Sequence, residues 1–502
     1  MKRILALFLA LLCMAACGGC GKKEPALLEE HIPNDNCRNW YEIFVYSFAD
    51  SDGDRIGDLR GATEKLEYVR DLGFTGIWLM PVMPSPSYHK YDVTDYYAID
   101  PAYGTMEDFQ TLLARAHELG IKVILDLVVN HTSIEHPWFQ NAKTGPNAEY
   151  RNYYNFTDKA QSGYNRIGDA YFESRFVSSM PDLNLDCPEV RQEIREILRY
   201  WLEMGVDGFR LDAVTSYYTG QQKKNVEFLA WLTTEAKAIK PECYIVGEAW
   251  ADESSIASYY PSGTDSFFCF PVAGAGGRLC QIMEESAVER GRSYGEMTLA
   301  LEERFGDALM APFLGNHDMD RIANAVGTYD GKRLKAAFGM LAMMRGGIFF
   351  YYGDEIGMLG KGNDPNKRIG MLWTTRAETT QCPPGTTEAE YVLPSVQEQE
   401  KDRNSLLNYV RAAMNLRNAE PAIARGKSRV LPHADGDLCV IERSYEGRTV
   451  TIVLNLSGRE KSVQLEAEKL IGALDANVES GVAVRYTGGT LYLDPWDIAV
   501  LN

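Results

Sequence analysis

Gly208-Phe209-Arg210-Leu211-Asp212-Ala213-Val214 reads as a short buried strand that ends in an acid. Side chains alternate along a strand, so Phe209 and Leu211 share an apolar face while Arg210 and Asp212 share the other. A carboxylate beside a guanidinium is held in its charged form. An ionised acid at the C-terminal end of a strand is placed to act as a nucleophile. A structural Arg–Asp pair closing a strand fits this stretch equally well, so the flanking sequence has to decide.

Outward from this strand, strands and helices alternate. Strands are expected at Glu42–Tyr46, Gly76–Met80 and Lys122–Asp126 upstream, and at Cys243–Glu248, Asp265–Phe270, Leu309–Leu314 and Gly347–Tyr352 downstream. Helices are expected over Ala62–Leu72, Met106–Leu119, Val190–Met204 and Val226–Ile239, the first three stopped by Gly73, Gly120 and Gly205. Repeated strand–helix units imply a parallel sheet. Eight strands at this spacing favour an α/β fold of the (β/α)8 TIM barrel type, with its active site at the strand C-termini. Between His131 and Asp186 the alternation breaks into a segment rich in Asn, Tyr, Gly and Ser, too long for a plain loop. It is expected to be an inserted subdomain after strand 3. Beyond Pro421, the stretches Leu438–Arg443, Thr449–Asn455, Lys461–Leu465 and Val482–Leu493 read as antiparallel strands of a C-terminal β-sandwich. The plan is therefore a barrel over 37–130 and 187–420, an inserted domain B over 131–186, and a C-terminal domain over 421–502.

The chain has 502 residues, 45% of them apolar, which suits two or three domains with a large core. Its net charge of −19 argues against nucleic acid and against anionic lipid as partners. No internal apolar run is long enough to span a bilayer. The N-terminus differs. Lys2 and Arg3 precede an apolar run, Ile4 to Leu12, of signal-peptide length, and Met14-Ala15-Ala16-Cys17 follows. Small residues before a cysteine resemble a bacterial lipobox. Residues 1–16 are thus expected to be a lipoprotein signal peptide, Cys17 the lipidated residue, and 17–36 a polar tether to the cell envelope or cell surface, the only membrane contact. An ordinary signal peptide with a nearby cysteine is the alternative. The later cysteines are scattered, without metal spacing or a disulfide framework.

Polar residues cluster at the expected strand ends. Asp126, Asn130 and His131 follow strand 3; Arg210 and Asp212 end strand 4; Glu248 ends strand 5; Asn316, His317 and Asp318 follow strand 7. In a barrel these ends converge on one mouth. Asp212, Glu248 and Asp318 with one arginine and two histidines suit glycoside chemistry: one acid attacks the sugar carbon, a second protonates the leaving oxygen, and further charge supports the oxocarbenium-like transition state.

Four blocks carry a resemblance to the α-amylase family of glycoside hydrolases: Asp126-Leu127-Val128-Val129-Asn130-His131, Gly208-Phe209-Arg210-Leu211-Asp212, Gly247-Glu248-Ala249-Trp250 and Leu314-Gly315-Asn316-His317-Asp318. They occur in the family's order, and nearly all of the chain after the tether is similar to it. Gly76 to Pro81, Met180-Pro181-Asp182-Leu183-Asn184 and Tyr352-Gly353-Asp354-Glu355-Ile356-Gly357 also match. The resemblance implies Asp212 as nucleophile with net retention, Glu248 as general acid and then base, and Asp318 as the acid that binds sugar hydroxyls and stabilises the transition state. It implies that Arg210 holds Asp212 ionised, that His131 and His317 hydrogen-bond the sugar, that Tyr91 stacks on it, and that Asp92 supports the same site.

Asp50-Ser51-Asp52-Gly53-Asp54-Arg55-Ile56-Gly57-Asp58 sets acids at alternate positions in a Gly-containing loop, as hard cations require. It resembles the metal loop of some relatives, where Asp50, Asp52, Asp54, Asp58 and the Ile56 carbonyl would bind calcium or magnesium. A solvated acidic turn is the plainer reading. Asn130 would serve a second calcium, but Thr215-Ser216 replaces the Lys-His pair that usually supplies a carbonyl there, which weakens the case for that ion.

The family includes hydrolases and transferases, so the reaction rests on further residues. Exo-acting relatives carry an Asp three residues before the stacking tyrosine; here Tyr88 stands in that place. An aromatic there leaves the cleft open and resembles surface amylases that accept internal chain segments. The expected activity is internal α-1,4 hydrolysis of starch, glycogen or maltooligosaccharides. The alternatives are an exo-acting α-glucosidase or oligo-1,6-glucosidase, a transglycosylase, and a non-catalytic glucan-binding lipoprotein. The sequence carries no signature of oligomeric state.

Overall fold

The computed structural model describes residues 33–284, 286–327, 331–476 and 484–502. The expected signal peptide, Cys17 and most of the expected tether lie outside these residues. Eight parallel strands form one sheet: β1 (Asn39–Ile43), β2 (Gly76–Leu79), β3 (Lys122–Leu127), β4 (Gly208–Leu211), β5 (Tyr244–Gly247), β6 (Ser266–Phe268), β7 (Leu309–Ala311) and β8 (Ile348–Tyr351). Neighbours in sequence are neighbours in the sheet, and β8 pairs with β1. The ring closes where the Gly347 and Phe349 amides donate to the carbonyls of Met310 and Pro312, each at 2.9 Å. The fold is a (β/α)8 barrel.

Strand alternation sorts the side chains into two sets. Tyr41, Ile77, Leu125, Phe209 and Ile245 join the core shared with the helices. Trp40, Trp78, Ile124, Tyr244, Val246, Phe268, Ala311 and Phe349 fill the barrel itself. Gly76 makes room there, because a Cβ at that position would lie 2.3 Å from the Trp40 ring. Along the same interior rows, two residues further on, Glu42 follows Trp40, Asp126 follows Ile124, and Glu248 follows Val246. The period of two thus converts a dry, aromatic lower layer into a charged upper layer at the strand C-termini.

Some boundaries differ from the sequence reading. β1 ends at Ile43, and Val45–Phe48 forms a helical turn instead of continuing the strand. Every residue from Asn39 to Phe48 is buried, so hydrophobicity carried no mark of the change. The helix expected over Ala62–Leu72 is two short helices, Leu59–Glu64 and Leu66–Asp71.

The inserted segment carries a three-stranded antiparallel sheet of Phe156–Thr157, Tyr164–Ile167 and Ala170–Glu173. The C-terminal domain pairs a five-stranded sheet with a three-stranded one, and Val440, Val453, Val463, Leu491 and Leu501 pack together from both. The stretch expected as one strand to Leu493 is a hairpin, Arg485–Thr487 and Thr490–Leu493, turned by Gly488 and Gly489. Among the described residues no helix is long and apolar enough to cross a membrane.

Candidate active site

Arg210 is fully buried at the barrel mouth. Its Nη1 donates to Asp212 Oδ1 at 2.6 Å and to both oxygens of Asp126 at 3.0 Å, while Nη2 lies 2.8 Å from Glu248 Oε1. One guanidinium therefore ties the acids at the ends of β3, β4 and β5. Its carbon sits 5.1 Å from the centre of the Trp78 ring. Ala213, just after Asp212, has φ of 50°. This left-handed geometry costs a non-glycine residue of order 1 kcal/mol or more. It accompanies a 2.9 Å hydrogen bond in which the Ala213 N–H donates to Glu248 Oε2.

Asp318 enters from the loop after β7. Its Oδ2 lies 3.0 Å from His317 Nε2, and its Oδ1 accepts from Arg368 at 3.0 Å. Tyr91 connects the two groups: its hydroxyl donates to Asp126 Oδ2 at 3.0 Å and lies 2.7 Å from His317 Nε2. His317 Nδ1 is 2.6 Å from Glu42 Oε1.

The acids differ in charge state. Burial pushes Glu248 up to about 8, with Arg210 opposing and Asp212 and Asp318 adding to the rise. Burial likewise lifts Asp126 to about 7 against the pull of Arg210. Burial also opposes ionisation of Asp318, but His317 and Arg368 outweigh it and hold this carboxyl far below the usual range. His317 loses solvation as well, yet Asp318 and Glu42 raise it to about 10. At neutral pH the mouth thus contains one acid that keeps its proton and another that has lost it, the division that acid catalysis beside a charge-stabilising carboxylate requires.

The remaining expected residues fall around this centre. His131 is buried and its ring lies 5.3 Å from the half-exposed Phe176. Its Nε2 has no hydrogen-bond partner among the described residues, and burial lowers its proton affinity. Asp92 is turned to its own loop, where Oδ1 accepts from Ser85 at 2.6 Å and from Ser87. Tyr88 donates to Asp364 Oδ2 at 2.8 Å, and Asp364 pairs with Arg368. Glu42, Arg368 and the environment of Trp250 were not singled out by sequence. Trp250 is 52% exposed and stacks on Phe270 at 4.7 Å, so it shows a flat apolar face two residues beyond Glu248.

In the acidic loop, Asp50, Asp52 and Asp58 bring carboxylate oxygens within 4.8 Å of one another. Asp54 stands outside that group, with its Oδ1 accepting from the Ile56 amide at 2.6 Å. Asp58 also caps the helix Leu59–Glu64 through the Gly61 amide at 2.7 Å. The Asn130 amide faces Asp182 at 3.5 Å and His131 Nδ1 at 3.3 Å.

Residues 42–426 match the family model described as "Alpha amylase, catalytic domain". The chain is 40% identical over 446 residues to "Alpha-amylase 3" of Dictyoglomus thermophilum, covering 86% of each protein. It is 30% identical to a 4-alpha-glucanotransferase of Thermotoga neapolitana, over 84% of this chain and 96% of that one. Among solved structures, Amy13B of Eubacterium rectale superposes with a TM-score of 0.90 and 39% identity, over 94% of this chain and 96% of the other. With the barrel and its ring of acids in place, these matches show that the chain belongs to the α-amylase family of glycoside hydrolases.

Proposed function

We propose that the protein is a retaining hydrolase of internal α-1,4-glucosidic bonds in starch, glycogen or maltooligosaccharides. The observation that carries this reading is the single guanidinium of Arg210 shared by Asp212 and Glu248. Such bridging favours the closely spaced pair of a retaining enzyme, about 5–5.5 Å apart, over the wider pair that must admit a water. Asp212 attacks the anomeric carbon as Glu248 gives its proton to the glycosidic oxygen. The carbon–oxygen bond breaks and a β-glucosyl ester of Asp212 forms. Water then attacks that carbon, Glu248 takes the water's proton, and the ester bond to Asp212 breaks. Asp318, kept charged by His317 and Arg368, holds sugar hydroxyls and offsets the positive charge of the transition state. Arg210 holds both carboxyls in place, Tyr91 and His317 contact the bound glucosyl unit, and the unpartnered Nε2 of His131 is free to hydrogen-bond it.

The oxygen-only donor set of Asp50, Asp52 and Asp58 fits a hard cation, calcium before magnesium. When bound it would brace the loop after β1, and it takes no part in the chemical steps. Chelation is expected to lower the thermal midpoint, with recovery on adding calcium and no such response in Asp52→Ala. Export as a lipoprotein through Cys17 rests on the sequence at residues 1–17.

Maltoheptaose blocked at its non-reducing end tests the cleavage mode. An endo enzyme releases mid-chain fragments from it. Glucose formed only from unblocked ends would instead make the protein an exo-acting α-glucosidase and remove the meaning given to Tyr88. The 30% identity to a glucanotransferase favours watching the same time course for products longer than the substrate, the mark of transfer to sugar.

A further inference from the structure

Glu42 is an acid inside a strand whose other residues are Asn39, Trp40, Tyr41 and Ile43, and it is 1% exposed. It belongs to the interior row of β1 and meets His317 from across the mouth. Both nitrogens of the His317 ring face acceptors: Nδ1 faces Glu42 Oε1 at 2.6 Å, and Nε2 faces Asp318 Oδ2 at 3.0 Å and the Tyr91 oxygen at 2.7 Å. Tyr91 spends its own proton on Asp126, so it accepts from the ring. A neutral imidazole has one N–H and would leave one of these contacts without a proton; only the imidazolium supplies two. Leaving a buried carboxylate unpaired is costly.

We propose that Glu42 is a positioning residue that keeps His317 doubly protonated, so that its Nε2–H is always presented to Asp318 and to the glucosyl unit held there. This deepens the hydrolase reading and rests on it. The groups facing the ring account for the balance. Glu42 from β1, Asp318 from the ring's own loop and Asp126 from β3, reached through Tyr91, all favour the charged ring. Against them stands burial, and the nearby positive charge is the Arg368 guanidinium, which donates to the His317 carbonyl at 3.2 Å. Tyr351, the register partner of Glu42 across β1 and β8, and Asp354 also interact with Glu42. Without the charge of Glu42, His317 sheds its proton at lower pH, and Asp318 loses a donor where the wild type still keeps it.

The test compares Glu42→Gln with Glu42→Asp. Glutamine keeps the shape and can still meet the ring, but removes the charge; aspartate keeps the charge on a shorter stem. The readouts are kcat/KM against pH on maltoheptaose and the titration of the His317 ring by nitrogen-15 NMR, assigned with His317→Gln. In Glu42→Gln the ring is expected to titrate at least half a pH unit below its wild-type position, and kcat/KM to fall more steeply than in wild type on the alkaline side of the limb that Glu248 sets near 8. Glu42→Asp is expected to keep the wild-type ring titration even where kcat falls. Equal, pH-independent losses in both variants with an unmoved ring titration would overturn the proposal and leave Glu42 a packing residue. Should Glu42→Gln fail to fold, a ring titration displaced in Glu42→Asp despite its retained charge would overturn it. A wild-type protein inactive on every α-glucan would overturn the hydrolase reading, while the ring titration would still decide the claim about Glu42.

Discussion

Two buried arginines show how this barrel uses one side chain in opposite ways. Arg210, at the mouth, faces carboxyls from three strands. Arg417, on the helix Leu406–Ala419, faces only dipoles: the carbonyls of Ala342 at 2.7 Å, Met344 at 2.5 Å and Gly346, and Asn39 Oδ1 at 2.9 Å. Burial lowers Arg417 to about 10, whereas at Arg210 the surrounding acids outweigh burial and raise its affinity for the proton. Around Arg417 donors and acceptors match, and the result is a pinned chain segment. Around Arg210 a single positive charge meets more negative charge than it can neutralise. The surplus is relieved by an acid that retains its proton, and that acid is available for catalysis.

Removing the proposed nucleophile should give the largest effect. Asp212→Asn is expected to lower kcat by roughly 10⁴-fold or more. Glucan binding and thermal midpoint should survive, because one surplus charge has been taken from the cluster. Steady-state kinetics on maltoheptaose and an unfolding scan check both halves. Activity within tenfold of wild type would remove Asp212 from the chemistry.

Arg417→Met should invert that outcome. It strips donors from buried acceptors, and each one left unsatisfied costs about 1–3 kcal/mol. The thermal midpoint should fall by several degrees. The kcat of the folded fraction is expected to stay within about twofold of wild type. A large fall in kcat with unchanged stability would mean that the two arginines are not divided between chemistry and architecture.

Much of the mouth was legible in sequence because its logic is local. Alternation puts Arg210 and Asp212 on one row, and a strand end puts Asp212 and Glu248 at the rim. What was missed depends on distance along the chain. Glu42 sat within a continuous buried run, where its parity had no meaning until the strand's end was known. Arg368 ends the short 3-10 helix Asp364–Arg368, far along the chain from Asp318, and reaches it only through the closed barrel. Lys427–Leu431 lacks a buried face of its own, and Leu470–Leu474 is irregular between Leu470 and Gly472, so neither gave a strand pattern. The Gly488-Gly489 pair was a usable turn signal. Both residues adopt positive φ, which splits the expected long strand into a hairpin.

The finest test of the comparison is the stability of Glu248→Gln across pH. In an unfolded chain a glutamate titrates near 4.3, whereas burial holds folded Glu248 at about 8. Below the lower value both states carry the proton, and the group contributes no pH dependence. Between the two values the unfolded chain releases its proton while the folded protein retains it, so this group erodes stability as pH rises. Above about 8 both states are ionised and the loss levels off. Glutamine does not titrate, and Asp126 is common to both proteins. The variant's thermal midpoint should therefore gain on the wild type by a few degrees between about pH 4.5 and 8, with flat differences on either side. The same proton should appear in wild-type kinetics as an alkaline limb near 8, since a general acid that has lost its proton cannot serve the leaving oxygen. A difference in midpoint that stays flat across the window would mean that Glu248 is ionised in the folded protein at neutral pH. The negative surplus around Arg210 would then be tolerated rather than relieved, and the contrast with Arg417 would lose its chemical meaning.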